Sequence, residues 1–145
     1  MYNADLTAPT TERLEASCNA PYLSPMTLPE VILKRFDSPD ETREMMKGRF
    51  DVVRLGGVTL GRASYEPGWK WSEHVGPALG ATRCEVAHVG LVLSGTATVA
   101  FDDGRVIELG PGQLFHVPPE PHDSWVVGDE PYVSLHFMGA DDYAR

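Results

Sequence analysis

The run CEVAHVGLVLSGTATVAFDDGRVIELGPGQLFHVPPEPH, residues 84–122, decides the fold. Its apolar, β-branched stretches Cys84–Leu93, Thr96–Phe101, Arg105–Leu109 and Leu114–Val117 are cut by Ser94-Gly95, Asp102-Asp103-Gly104, Gly110-Pro111-Gly112 and Pro118-Pro119. Glycine supplies positive φ, proline pre-sets a turn, and aspartate bonds its own backbone, so each break reads as a reversal and each stretch as a strand. Turn signals every ~8–12 residues are the spacing of sandwiches and barrels.

The pattern extends in both directions. Upstream, Phe50–Leu55 and Val58–Tyr65 flank Gly56-Gly57, a two-residue hairpin signal. Trp69–His74 reads as a further strand and VGPALGA, residues 75–81, as its reversal, while downstream Ser124–Val127 and Tyr132–Met138 read as the remaining strands. Closure removes the edges that so many short antiparallel strands would expose, so the expected fold is all-β, a small antiparallel β-barrel or jelly roll. Before it, EVILKRF at Glu30–Phe36 reads as a short strand, and Ser38-Pro39-Asp40-Glu41 has the form of a capping box that predicts a short helix over residues 39–47, ended by Gly48. The first 29 residues carry Pro9, Pro21, Pro25 and Pro29 and no periodic apolar face, so they form an irregular arm, with Tyr22, Leu23, Met26 and Leu28 as its apolar surface. The organisation is thus an arm, 1–29, and a single domain, 30–145.

A length of 145 residues suits one such domain. Twelve Lys and Arg against 21 Asp and Glu give a net charge of -9, which opposes a phosphate backbone or an anionic membrane and excludes nucleic-acid binding as the expected function. No apolar stretch approaches the ~20 residues of a membrane helix, and no signal peptide is seen, so the expected location is the cytoplasm. Cys18 and Cys84 form no CxxC and read as reduced thiols, with Cys18 a bystander in the arm.

The order of turn residues and histidines from Gly68 to His122 resembles the cupin family. Gly68 is followed by five residues and His74; six residues lie between His88 and Gly95; then Gly104, Pro111-Gly112, Val117-Pro118-Pro119 and His122 follow in the order of the second cupin motif. Gly76 stands where the family has its second His, and His88 where it has Glu. Counting back from His88 at the family's short spacing lands instead on Thr82 and Cys84. The resemblance implies a barrel mouth in which His74, His88 and His122, with Cys84 as a fourth ligand, surround one divalent transition metal: Fe, Zn, Ni, Mn or Cu.

Strand geometry ranks these ligands. Residues four apart on a straight strand are separated by ~13 Å, whereas two ligands of one ion lie within about 4 Å. A continuous strand from Cys84 to Leu93 therefore keeps Cys84 and His88 off a common ion, and Cys84-Glu85-Val86-Ala87 are poor turn formers. His74, His88 and His122 form the core set. His116 and His136 match no ligand position and read as structural. Trp69 and Trp71 share one strand face, Trp125 follows His122 by three residues, and all three are candidates for a small-molecule pocket as well as for core packing. Glu73 and Asp123 flank presumed ligands, face away from them and are expected to be solvated.

Two function classes follow. One is a metal-dependent enzyme on a small organic molecule, such as a non-haem dioxygenase, whose open positions bind substrate and oxygen or polarise a carbonyl. The other is a small-molecule-binding or sensing module without turnover, and a metal-free shell is a third reading. No nucleophile elbow, phosphate loop or carboxylate pair names a reaction. Both the extra strand EVILKRF and the resemblance imply a homodimer.

Overall fold

Gly56 and Gly57 both adopt positive φ, 58° and 78°. Only such residues let a two-residue loop match the right-handed twist of its strands, so β2 (Gly48–Leu55) and β3 (Val58–Tyr65) pair in full register from Leu55↔Val58 to Gly48↔Tyr65. The structure, a computed structural model, describes residues 29–145. The chain divides into the units Met1–Glu30 and Val31–Arg145, and every strand and helix of the described residues belongs to the second. The expected arm, Cys18 included, lies outside the described residues except at its end.

The remaining strands are β1 (Glu41–Met45), β4 (His88–Ser94), β5 (Thr96–Phe101), β6 (Val106–Leu109), β7 (Leu114–Val117), β8 (His122–Asp123), β9 (Val126–Val127) and β10 (Tyr132–Met138); two single-turn helices, α1 (Trp71–His74) and α2 (Gly76–Leu79), lie between β3 and β4. A six-stranded sheet runs β1-β2-β3-β10-β4-β7, and a smaller sheet runs β6-β5-β8 with β9 also on β5. All pairings are antiparallel. This is a two-sheet jelly-roll sandwich; the closed barrel is not formed. No helix among the described residues is long and apolar enough to cross a membrane.

The core lies between the sheets, where Phe50, Val52 and Ala63 of the β2–β3 hairpin meet Trp69, Val92 and Tyr132. Trp69 is 1 % exposed and its indole lies flat on Tyr65, ring centroids 3.7 Å apart, a contact worth ~0.5–1.5 kcal/mol beyond area burial.

Five sequence expectations are corrected. Glu30–Phe36 is not a strand: no neighbour among the described residues offers it a ladder, and Val31 and Leu33 remain 89 % and 87 % exposed. Residues 39–47 hold no helix. A capping residue contributes only ~1 kcal/mol, whereas β1 pairs with β2 along Glu41↔Val52 to Met45↔Gly48 and buries Arg43. Trp69–His74 is not a strand, because the Asp123 carboxylate accepts from the Ser72 amide at 3.0 Å and the Ser72 hydroxyl at 2.7 Å, capping α1 from outside. Asp123 is therefore buried rather than solvated, whereas Glu73 is exposed. Lastly, Cys84–Leu93 is not one strand. Cys84 forms an isolated bridge with His122 of the smaller sheet, while β4 pairs with β10 and β7 of the larger. The chain changes sheets across residues 85–87, a crossing that needs no turn former.

Candidate metal centre

That crossing builds the site. With Cys84 and His122 exchanging backbone hydrogen bonds at 2.8 and 3.0 Å, the bridge fixes their side chains side by side, and the crossing returns His88 to them from the opposite sheet. Cys84 Sγ lies 3.5 Å from His88 Nε2. Cys84, His88 and His122 are all buried, and one donor atom from each lies within 4.8 Å of the others. Tetrahedral bonds of ~2.3 Å to sulfur and ~2.1 Å to nitrogen set donors ~3.6 Å apart, so the cysteine–histidine separation already fits a shared ion. Sulfur and imidazole donors suit Zn, Fe, Ni or Cu rather than Mg or Ca.

The surrounding bonds orient these donors. His122 Nδ1 lies 2.7 Å from the Glu120 carbonyl oxygen; donating there, it leaves Nε2 with the free lone pair. Burial, opposed by that bond, lowers the His122 pKa. Burial, reinforced by His136 and His122, drives His88 down to about 2, so both rings are uncharged at neutral pH. Burial pushes the Cys84 thiol up to about 11. A metal arriving at Cys84 must therefore displace a proton.

Beside the donors is a cavity of about 50 Å³ whose wall includes Tyr65, Trp69, Trp71, Phe115, His136 and Tyr143, room for an ion with a few small ligand atoms. Among the described residues, no Asp, Glu, Lys or Arg contributes to the wall. The Nδ1 atoms of His88 and His136 and the indole nitrogens of Trp69 and Trp71 are buried with no hydrogen-bond partner among the described residues. All four residues line the cavity, and leaving a buried donor or acceptor dry and unpaired costs ~1–3 kcal/mol.

The sequence-derived residues divide between this place and others. Trp69 and Trp71 line the cavity, but Trp125 lies on another surface recess under Lys70, whose Nζ is 5.7 Å from its ring centroid. His74 is not in the donor group: its Nδ1 accepts from the Lys70 amide at 2.9 Å, and the ring faces a different recess with Glu44 and Met46. His116 is exposed on β7. His136 is 7 % exposed and packs edge-on against His88, 5.4 Å between centroids, with Nε2 3.1 Å from Ser134 Oγ. The sequence carries a sign of its position, since Tyr132, Ser134 and His136 alternate on one face of β10. Polar residues on the inward face of a core strand mark a cavity.

A family model described as Cupin domain matches residues 61–138. Among solved structures, a protein of unknown function from Acidithiobacillus ferrooxidans is 22 % identical over 68 % of this chain and 86 % of its own, with a TM-score of 0.50. Procruciferin, an 11S globulin of Brassica napus, is 16 % identical over 73 % of this chain and 30 % of its own, with a TM-score of 0.51. Oxalate decarboxylase of Bacillus subtilis is 22 % identical over 72 % of this chain and 29 % of its own, with a TM-score of 0.49. This chain thus corresponds to under a third of the last two proteins, and the likenesses to the first two speak to fold alone. No curated protein matches the chain.

Proposed function

This chain belongs to the cupin domain family, and from that premise we propose that it holds one divalent transition metal on Cys84, His88 and His122 and binds a small organic molecule in the adjoining cavity. The observation that carries this reading is the 3.5 Å approach of Cys84 Sγ to His88 Nε2 beside His122. Three protein ligands leave a coordination position open. When bound, the metal supplies Lewis-acid polarisation or, if redox-active, a place for dioxygen beside the small molecule, which favours an oxidoreductase of the non-haem dioxygenase kind. The chain's own part is to exclude water with the aromatic wall, to present His122 Nε2 by anchoring Nδ1 on Glu120, and to deliver one negative charge as the Cys84 thiolate.

Metal analysis of freshly purified protein tests this: close to one equivalent per chain is expected, falling below a tenth in His88→Ala and His122→Ala. Substoichiometric, loosely held metal in every preparation overturns it. A cobalt-loaded sample shows thiolate charge-transfer absorption in the near ultraviolet, and Cys84→Ser removes it.

A second reading, a binding or sensing module without turnover, is favoured by the lack of any carboxylate or cationic side chain in the cavity wall among the described residues, which leaves no ready acid–base pair. Oxygen uptake by iron-loaded protein with small carboxylic acids and phenols separates the two. We also propose a homodimer, supported by the exposed apolar run Val31, Ile32 and Leu33; light scattering that returns the 15.9 kDa of one chain at high micromolar concentration overturns it.

A further inference from the structure

The family match spans residues 61–138, yet the cavity wall draws on one residue outside it, Tyr143. After β10 the chain turns back from Gly139 and returns Tyr143 to the interior, 4 % exposed. Its ring packs on Phe50 at 4.7 Å and edge-on to His88 at 5.4 Å between centroids. The Tyr143 hydroxyl accepts a hydrogen bond from Tyr65 at 2.7 Å, and its own proton is committed to no group among the described residues.

What holds this turn is Arg43 on β1, itself 8 % exposed. Its Nη1 donates to the carbonyls of Ala140, at 2.8 Å, and Tyr143; Nη2 donates to that of Asp141 at 3.3 Å; and Nε meets the Glu41 carboxylate at 2.8 Å. Taking a guanidinium out of water is costly, and only a full set of acceptors in fixed geometry offsets it. Here three of the four acceptors, all of them carbonyls, belong to the segment that carries Tyr143.

We propose that Tyr143 is a specificity-determining residue of the cavity, its phenol donating a hydrogen bond to an acceptor atom of the small molecule beside the metal, with Tyr65 and Arg43 as its positioning residues. The inference rests on the metal-and-ligand reading above and adds to it the class of ligand. Tyr143 offers a donor, Trp69 and Trp71 on the same wall have indole N–H groups without a partner among the described residues, and a divalent ion with one thiolate leaves a charge of +1 to be balanced. The ligand is therefore a small monoanion or carbonyl compound of a few heavy atoms, not an amine or a hydrocarbon.

The test is azide binding to the full-length cobalt-loaded protein, followed by the change in the visible cobalt spectrum. Tyr143→Phe is expected to keep the cobalt stoichiometry of wild type and to bind azide about tenfold more weakly, the loss of one hydrogen bond to a charged group. Arg43→Met is expected to weaken azide by a similar factor, and the double variant Arg43→Met with Tyr143→Phe no further, because Arg43 acts through Tyr143. Tyr65→Phe, a smaller change, serves the same purpose if Arg43→Met does not fold. Azide affinity within twofold of wild type in cobalt-loaded Tyr143→Phe overturns this proposal alone; failure of the wild-type protein to hold cobalt overturns the metal reading and this proposal together.

Discussion

The segment carrying His74 and the segment carrying Cys84 lie on either side of one turn, and the backbone treats them oppositely. Around His74 an expected strand is coiled into α1, and the ring is retained by its own helix start at Lys70. Around Cys84 an expected strand is interrupted, and the thiol is carried across to His88 and His122. Membership of the donor group is thus decided by the point at which the chain leaves one sheet for the other, more than by residue type. Each side also has a glycine pressed against backbone. A Cβ on Gly139 would lie 2.2 Å from the Ala87 carbonyl oxygen and 3.3 Å from His88 Nδ1, and a Cβ on Gly76 would lie 2.3 Å from the Ala81 carbonyl oxygen.

Removing donors separates the two segments most strongly. His88→Ala and His122→Ala are expected to lower bound metal by at least tenfold, measured by plasma mass spectrometry after desalting; metal held equally by both variants breaks the distinction. Next come the glycines. Gly139→Ala, with φ at 89° as well as the close contact, is expected to cost about 2 kcal/mol or more in urea unfolding and to weaken cobalt binding, since the shifted atoms adjoin His88. Gly76→Ala is expected to cost a similar amount and leave cobalt affinity within twofold.

A smaller effect is expected from pH. Burial holds His88 down to about 2 and His136 down to about 4, while the unfolded chain binds those protons near pH 6.5. Protonation therefore favours the unfolded state, so the contribution of these rings is complete above about pH 6.5 and is lost as pH falls below it. Metal-free protein is expected to lose about 1 kcal/mol per histidine per pH unit between pH 6.5 and 5.5 in urea titrations; equal midpoints at pH 7.5 and 5.5 contradict the burial of those rings. The smallest effect belongs to His74→Ala: unchanged metal content, and a stability loss under about 1 kcal/mol for the bond to Lys70.

Legibility in the sequence follows the range of the forces involved. The Gly56-Gly57 hairpin and the β4–β7 stretch can be read because turn chemistry and alternation act within a few residues. The helix start at α1 cannot, because its cap, Asp123, is distant in sequence and arrives only with the tertiary fold. Cys84 ranks below His74 on sequence grounds for the same reason, as its bridge to His122 decides where the strand breaks. His136 reads as structural when only ligand positions are aligned; the polar inward face of β10 is the signal that such an alignment passes over.

The order β1-β2-β3-β10-β4-β7 has a consequence for synthesis. β10 pairs Gly61 of β3 through His136 and Leu91 of β4 through Leu135, so it joins two halves of the sheet that no other ladder among the described residues connects. A ribosome delivers β1 to β9 first, and until residues 132–138 emerge both β3 and β4 carry a bare edge able to accept a strand from another chain. Such late, long-range pairing is slow, in the millisecond-to-second range, and the same strand brings His136 and the turn that holds Tyr143. The nascent chain is therefore most prone to aggregate just before its cavity can close, and a lower expression level, which leaves fewer neighbouring chains to pair with the bare edges, should raise soluble yield.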